Sequence, residues 1–231
     1  MDFIKETDQL GLKLTSFQLE QFENYYKTLI QVNSYMNLTA ITKEEEVYRK
    51  HFLDSLEIFR VLPVKPYTLC DVGSGAGFPG LPVAIADSNA KVTIIDALNK
   101  RITFLNELIQ ELKLNNVLAI HKRAEDFVKE VGDCFDVVTA RAVARLNILA
   151  ELCMPLVKVN GIFIAMKGLS GKEEAEEAKS AIQILGGKIE KILDFTLPDE
   201  EEVRQIIVIR KIKETPQKYP RAFGKIKEKP L

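Results

Sequence analysis

Hydrophobic residues recur at helical spacing through the first 66 residues of the chain. In "SFQLEQFENYYKTLIQV", residues 16–32, apolar side chains return every three or four positions after a Ser or Thr that can cap a helix. A second helical pattern, "EEEVYRKHFLDSLEIFRVL", covers residues 44–62, and the prolines at 63 and 66 should end it. We therefore predict an N-terminal helical region over residues 1–66.

The pattern changes near residue 67 to short strand-like runs that alternate with helical segments. The runs are "TLCDVG", "KVTIID", "VLAIHK", "FDVVTA" and "GIFIAMK", and alternation of this kind predicts a parallel sheet with crossover helices. Two more runs, "KIEKILDFTL" and "EVRQIIVIRKI", have only the short "PDEE" between them, which is too short for a parallel crossover. Residues 67–212 are thus predicted to form an α/β domain with a seven-stranded, Rossmann-like sheet, the layout of S-adenosylmethionine-dependent methyltransferases.

Composition narrows the class of protein. The chain has 231 residues, of which 46% are hydrophobic and 28% charged, with a net charge of −1, which is typical of a globular protein and not of a disordered one. The start, "MDFIKETDQL", is acidic where a secretory signal would be basic and apolar, and there is no apolar run near 18 residues. We expect a cytoplasmic protein with no membrane partner.

The three cysteines, Cys70, Cys134 and Cys153, are widely spaced and lie in apolar surroundings. That pattern predicts reduced thiols in the core rather than a disulfide framework or a metal site. No bound metal is expected.

Basic residues concentrate at the C-terminal end. From Arg210 to Leu231 there are eight Lys or Arg and two Glu, with three prolines and little periodicity. We separate residues 213–231 as a basic C-terminal tail. Such a tail is either a solvated, flexible end or a contact surface for nucleic acid.

A glycine-rich segment, "DVGSGAGFPG", follows the first predicted strand. A phosphate-binding P-loop would need Lys followed by Ser or Thr, where this chain has Phe78 and Pro79. The dinucleotide fingerprint would need a sixth-place glycine, and that place is again Phe78. The alternate spacing of Gly73, Gly75 and Gly77 favours a loop that receives the amino-acid end of S-adenosylmethionine, with Asp71 near its ammonium group.

Two further positions suit the rest of that cofactor. Asp96 ends the second predicted strand, where a carboxylate can accept hydrogen bonds from both ribose hydroxyls, although it could also cap the helix that starts near Asn99. Ala124 and Glu125 follow the third strand, where an amide and a carboxylate can meet the edge of adenine. Glu125 could equally be an acid in the first turn of a helix that complements the dipole.

Five charged or polar positions lie where a substrate or the cofactor could bind. Arg141 and Arg145 stand at and beyond the end of the fourth strand and suit cofactor or phosphate contacts, or else surface salt bridges. Lys167, at the end of the fifth strand, could reach a substrate phosphate or simply face solvent. His51 and Asp54, at i and i+3, form either a hydrogen-bonded pair or part of an RNA-binding face.

Eight segments in order resemble the bacterial small-subunit rRNA guanine-N7 methyltransferases, the RsmG/GidB family. They are "NLTAI", "HFLDS", "DVGSGAGFPG", "NKRITFL", "RAED", "ARAVA", "MKG" and "KYPRAFGKIKEKPL". The resemblance implies methyl transfer from S-adenosylmethionine to N7 of a guanine in the decoding-region hairpin of 16S rRNA, with that RNA or the small ribosomal subunit as partner. It also implies cofactor contacts at Gly73, Phe78, Ala124, Glu125 and Arg141.

The tail departs from the family pattern, which commonly has Arg-Lys before Tyr-Pro-Arg and a Gly-x-Pro soon after. Here Gln217 and Lys218 precede that motif, and Lys225-Ile226-Lys227 follow Gly224. Within this tail, Lys218 and Arg221 are the expected substrate contacts.

No residue is predicted to act as a general base, because guanine N7 carries a free lone pair. The segment "TARAV" also lacks the Asp/Asn-Pro-Pro-aromatic signature expected for methylation of exocyclic amines, and Cys153 lies in a helix-like stretch that does not favour a nucleophile. Two alternatives remain open at this point. They are a small-molecule methyltransferase and a non-catalytic RNA-binding protein on the same fold.

Overall fold

The computed structural model describes residues 1–64 and 66–231, which contain one seven-stranded sheet with the strand order β3-β2-β1-β4-β5-β7-β6. Strands β1 to β5 are parallel, and the hairpin of β6 and β7 joins β5 in antiparallel fashion. The strands are β1 (Tyr67–Val72), β2 (Ala90–Asp96), β3 (Val117–His121), β4 (Phe135–Arg141), β5 (Val157–Lys167), β6 (Gly187–Thr196) and β7 (Val203–Lys211). The predicted α/β methyltransferase-type sheet is confirmed.

Helices cover both faces of this sheet. The α-helices are α1 (Phe3–Gln9), α2 (Ser16–Met36), α3 (Glu44–Val47), α4 (Asp54–Leu56), α5 (Gly80–Ala86), α6 (Asn99–Glu111), α7 (Ala124–Val131), α8 (Leu146–Cys153), α9 (Gly171–Glu177), α10 (Lys179–Ile184) and α11 (Phe223–Glu228). One buried cluster joins α2, α5 and α6 to one face of the sheet, and a second joins α7, α8 and α10 to the other.

The N-terminal region is helical, as its apolar spacing predicts. Thr15 caps α2 in a capping box with Gln18, and Asn37 ends the helix in the left-handed region at φ 52°. The second predicted helix, residues 44–62, is not uniform: α3 leads into a π-helical turn at Tyr48–Leu53, then α4, then a 3₁₀ turn at Glu57–Arg60. The boundary after residue 66 stays a prediction.

The C-terminal tail is not a loose end. Ile226 in α11 is fully buried in the second core cluster, and Arg221 reaches the buried Glu151 of α8. The solvated, flexible alternative therefore does not describe these residues. Tyr219, Phe223 and Leu231 also pack against this cluster, and low hydrophobic periodicity does not reveal such contacts or a long-range ion pair.

The three cysteines differ in their exposure to solvent. All three thiols are free, and Cys70 and Cys153 are buried as predicted. The core prediction is wrong for Cys134, which is partly exposed because it lies in the loop just before β4. Across the described residues, no helix is both long enough and apolar enough to cross a membrane.

Candidate cofactor and substrate site

The glycine loop lies at the carboxyl edge of the parallel strands, at the point where the chain order reverses between β1 and β4. Gly73, Gly75 and Gly77 have φ values of 73°, 64° and 109°, which residues with a side chain rarely adopt. The Gly73 amide donates to the Ile95 carbonyl at 2.8 Å, so the loop is fixed to the end of β2. A Cβ atom at Gly73 would lie 2.8 Å from Cγ2 of Val143, which shows how closely the loop after β4 approaches.

Asp71 is fully buried beneath this loop. Its Oδ2 accepts hydrogen bonds from the Ser74 hydroxyl and from the Gly80 amide at 2.8 Å. Its Oδ1 is buried and has no hydrogen-bond partner among the described residues. Burial raises the pKa of Asp71 to about 6, so at neutral pH the loop contains a buried carboxylate with one unused oxygen.

Open space lies beside Gly75. A Cβ atom there would meet no heavy atom within 4 Å, in contrast with Gly73 and Gly77. The Gly75 amide donates to Oδ2 of Asp96 at 3.1 Å, and Arg101 contacts the same oxygen at 3.2 Å. Oδ1 of Asp96 accepts from the Leu98 amide at 2.9 Å and has a lone pair to spare. Asp96 is not the N-cap of α6, which is Leu98.

Ala124 and Glu125 begin α7 directly after β3, and both are buried. Glu125 occupies the first turn of the helix, and its Oε1 lies 4.0 Å from the Arg123 guanidinium. The structure therefore fits both of the interpretations given for Glu125, a first-turn acid and a cofactor contact. Its role toward adenine stays a prediction.

Phe78 is the centre of a stack that joins the N-terminal region to the glycine loop. The ring of Tyr25 lies 5.4 Å from it and nearly parallel, and the ring of His51 lies 4.6 Å away. The Arg141 guanidinium sits 4.9 Å from the centroid of the same ring. The Tyr25 hydroxyl donates to the Ala76 carbonyl at 2.6 Å. A helix far away in sequence therefore holds the loop in place.

Arg141 lies between the glycine loop and a cavity at the ends of β4 and β5. Its guanidinium donates to Oδ2 of the buried Asp54 at 2.6 Å and lies 3.4 Å from Nδ1 of His51. No direct hydrogen bond joins His51 to Asp54 in the described part of the chain, so the predicted local pair is instead bridged by Arg141. Burial, reinforced by the Arg141 charge, lowers the pKa of His51 to about 4. Because Nδ1 faces a donor, we place the proton on Nε2, which lies 2.7 Å from Oγ1 of Thr39.

This cavity beside Arg141 has a volume of about 420 Å³ and opens at the ends of β4 and β5. Its charged lining groups are Lys50, Asp54, Arg141, Lys167, Glu174 and Arg204. The Lys167 side chain is largely buried and does not face solvent. Its ammonium contacts Oε2 of Glu174 at 2.8 Å and donates to the Ala144 carbonyl. The same Glu174 oxygen accepts from the Leu146 amide at 2.8 Å, so this ion pair fixes the loop after β4.

The other predicted substrate residues lie apart from this cavity. Arg145 is exposed and pairs with Glu177. Lys218 is exposed, with its ammonium 5.2 Å from the Tyr219 ring. Arg221 forms a two-pronged ion pair with Glu151 at 2.8 and 2.6 Å. The structure thus gives Arg221 an anchoring role, and substrate contact by these three residues stays a prediction.

Sequence reasoning missed three residues that shape the site, Tyr25, Arg204 and Glu174. Tyr25 belongs to the apolar stripe of α2 and carries no motif, and its partner Ala76 is 51 positions away. Arg204 and Glu174 lie on elements whose proximity to Arg141 or Lys167 depends on the strand order. Only the helical stripe that contains Tyr25 could have drawn attention to any of them.

These features fit S-adenosylmethionine. The gap beside Gly75 leaves room for a ligand, the unused Oδ1 of Asp71 suits an ammonium group, and Asp96 offers an acceptor nearby. No cluster of three or more metal-ligating side chains occurs in residues 1–64 and 66–231.

Solved structures of low sequence identity share this fold. TrmN from Thermus thermophilus superimposes with a TM-score of 0.55 at 14% identity, covering 69% of this chain and 48% of that one. TYW2 from P. horikoshii, solved in complex with MeSAdo, gives a TM-score of 0.56 at 20% identity, covering 69% of this chain and 62% of that one.

Sequence relatives match over nearly the whole chain. "Ribosomal RNA small subunit methyltransferase G" of Bacillus licheniformis is 53% identical over 99% of this chain and 97% of its own, and a Bacillus cereus protein of the same name is 52% identical over 97% and 95%. The family model GidB, described as rRNA small subunit methyltransferase G, matches residues 18–204. With this coverage and the site geometry above, the chain belongs to the GidB family of small-subunit rRNA methyltransferases.

Proposed function

We propose that this protein transfers a methyl group from S-adenosylmethionine to N7 of a guanine in the decoding-region hairpin of 16S rRNA. The observation that carries the proposal is the glycine loop, with open space beside Gly75 above a buried, half-satisfied Asp71, in a chain of the GidB family. When bound, S-adenosylmethionine supplies a methyl group from its sulfonium sulfur. The thioether that leaves is neutral, so no acid is needed to protonate it. We place the reaction in the cytoplasm, on the rRNA or the small ribosomal subunit.

The residues of this chain have mainly a positioning task. Asp71 and the glycines hold the amino-acid end of the cofactor, and Asp96 accepts from its ribose hydroxyls. The remaining proposed cofactor contacts are Phe78, Ala124, Glu125 and Arg141. The proposed substrate contacts are Arg145, Lys167, Lys218 and Arg221.

No proton acceptor is required, since N7 attacks with its own lone pair. His51 agrees with this, because a pKa of about 4 makes it neutral and weakly basic at physiological pH. Its contacts with Phe78 and Arg141 instead support a packing role beside the loop.

The decisive experiment combines methyl incorporation with a chemical test for N7. Small subunits lacking this modification are incubated with the protein and labelled S-adenosylmethionine, and the rRNA is then treated with borohydride and aniline. N7-methylguanine carries a fixed positive charge that makes the strand break at that nucleotide. One new cut at a guanine is expected, with Gly75→Val as the inactive control. Labelled rRNA without a strand break would contradict methylation at N7. Label in a small molecule but not in rRNA would favour a small-molecule methyltransferase.

A further inference from the structure

Three basic side chains, two of which line the 420 Å³ cavity, converge on a single carboxylate. Nε of Arg49 and Nζ of Lys50 lie 3.3 and 3.4 Å from Oε1 of Glu200, and Arg204 contacts its Oε2 at 3.3 Å. Lys50 and Arg204 also line the cavity. Glu200 belongs to the short acidic link between β6 and β7, so this carboxylate comes from a loop and not from the core of the sheet.

The carboxylate is poorly held for a group surrounded by three cations. Its Oε1 is buried and makes no hydrogen bond with the described residues, and the same is true of Nε in Arg49 and in Arg204. The contacts of 3.3 to 3.4 Å are longer than the usual distance of about 2.7–2.9 Å in a charge-assisted hydrogen bond. Oε2 of Glu200 accepts one hydrogen bond, from Nη2 of Arg204 at 3.3 Å, whereas Nε of Arg49 and Nε of Arg204 are buried donors without an acceptor among the described residues.

Among the side chains of this cluster that are at most 30% exposed, cations outnumber carboxylates. The cations Arg49, Lys50, Arg141 and Arg204 face two largely buried carboxylates, Asp54 and Glu200. The other acidic partners, Glu45, Asp199 and Glu202, have side chains that are 65 to 70% exposed and lie 3.6 to 3.9 Å away, so water screens them. Glu46 is one-third exposed and contacts only Lys50 within this group.

We infer that Arg49, Lys50 and Arg204 form a binding site for a backbone phosphate of the RNA, and that Glu200 occupies this site in the free protein. A phosphate offers two free oxygens with tetrahedral geometry and can accept from Nε as well as from the terminal nitrogens of arginine. Binding then exchanges one anion for another, and the acidic link moves away from the cations. This inference rests on the proposed function for the identity of the ligand.

Replacing the competing carboxylate by a neutral amide gives the sharpest test. Glu200→Gln removes it, whereas Glu201→Gln makes the same change on an exposed neighbour that forms no ion pair among the described residues. The probe is a 16S rRNA fragment containing the decoding-region hairpin, with affinity measured by fluorescence anisotropy at fixed KCl. We expect Glu200→Gln to bind about fivefold more tightly, equivalent to about 1 kcal/mol, and Glu201→Gln to stay within about twofold of wild type.

A second pair of variants keeps the test independent of loop folding. Lys50→Gln should weaken binding of the same fragment by about fivefold, whereas Lys43→Gln, on an exposed lysine just before α3, should change it little. Thermal melting checks that each variant is folded. Equal affinities for Glu200→Gln and Glu201→Gln, or for the two lysine variants, would overturn the phosphate site. Methyl incorporation by the wild type, measured in parallel, distinguishes this failure from failure of the proposed function.

Discussion

The Tyr25 hydroxyl gives a direct test of how the N-terminal region supports the cofactor loop. The side chain is fully buried, its hydroxyl donates to the Ala76 carbonyl at 2.6 Å, and its ring packs against Phe78. Tyr25→Phe retains the ring and removes one oxygen. The Ala76 carbonyl is then buried without the partner that holds the loop to α2.

The expected magnitude follows from that lost partner. Leaving a buried acceptor unsatisfied costs about 1–3 kcal/mol, and in a chain of this size a loss of about 2 kcal/mol lowers Tm by about 4–8 °C. The freed loop must also be ordered again when the cofactor binds. Fixing one residue costs about 1 kcal/mol or more, so S-adenosylmethionine should bind about fivefold more weakly.

Tyr26→Phe is the matched control. The Tyr26 hydroxyl lies 3.4 Å from the Thr42 carbonyl in an exposed hydrogen bond, so its loss should change both quantities little. Urea denaturation gives the free energy of unfolding, and titration calorimetry gives the cofactor affinity. If the two variants behave alike, or if Tyr25→Phe loses stability but keeps full affinity, the loop does not depend on this hydrogen bond for binding.

Two further predictions address the loop and a buried lysine. Gly75→Ala and Gly11→Ala both place a Cβ in open space at positive φ, so each variant should lose about 1–2 kcal/mol of stability. Only Gly75→Ala should also weaken cofactor binding, by more than about tenfold. Unchanged binding would mean that Gly75 only forms a turn. Lys211 is fully buried, and burial lowers its pKa from 10.5 to about 8. Between these pH values the unfolded chain binds more protons than the folded chain does, so the free energy of unfolding should rise with pH across that window. Urea titrations of wild type and Lys211→Met at pH values near 8 and 10 should show the rise in wild type alone, and parallel curves would refute it.

The sheet could be predicted because each strand has a recognisable pattern in its own local sequence. Alternation of β-rich runs with helical segments, and a link too short for a crossover, are sufficient for five parallel strands and a terminal hairpin. The π-helical turn at Tyr48–Leu53 could not be predicted, because apolar spacing does not distinguish one widened turn from a regular one. The docking of the tail could not be predicted either, because Ile226 packs into a distant core cluster and Arg221 pairs with Glu151, 70 positions away.

In the candidate site, too, some residues could be predicted from sequence, whereas their contacts with distant residues could not. Asp71 and Asp96 lie at the ends of the neighbouring strands β1 and β2, and the glycines follow β1, so strand order alone brings them to one edge. Its sequence position also puts Arg141 at that edge, but its partner Asp54 lies 87 positions earlier, and only the packing of the N-terminal region reveals the contact. Lys167 shows the limit clearly, because its sequence position does not indicate the ion pair with Glu174.

The pH dependence of methyl transfer tests the roles of His51 and Asp71 and the absence of a general base. His51, with its pKa lowered to about 4, stays neutral above that value, and Asp71, with its pKa raised to about 6, becomes ionised as the pH rises through 6. We therefore expect single-turnover methyl transfer at saturating cofactor to be flat between about pH 6.5 and 8.5, a range in which an ordinary histidine base would titrate. Cofactor affinity should fall below about pH 6, because protonation removes the Asp71 charge, and Asp71→Asn should bind weakly without that dependence. A transfer rate that rises tenfold per pH unit through neutrality would require a titrating base and would refute direct attack by a neutral nucleophile.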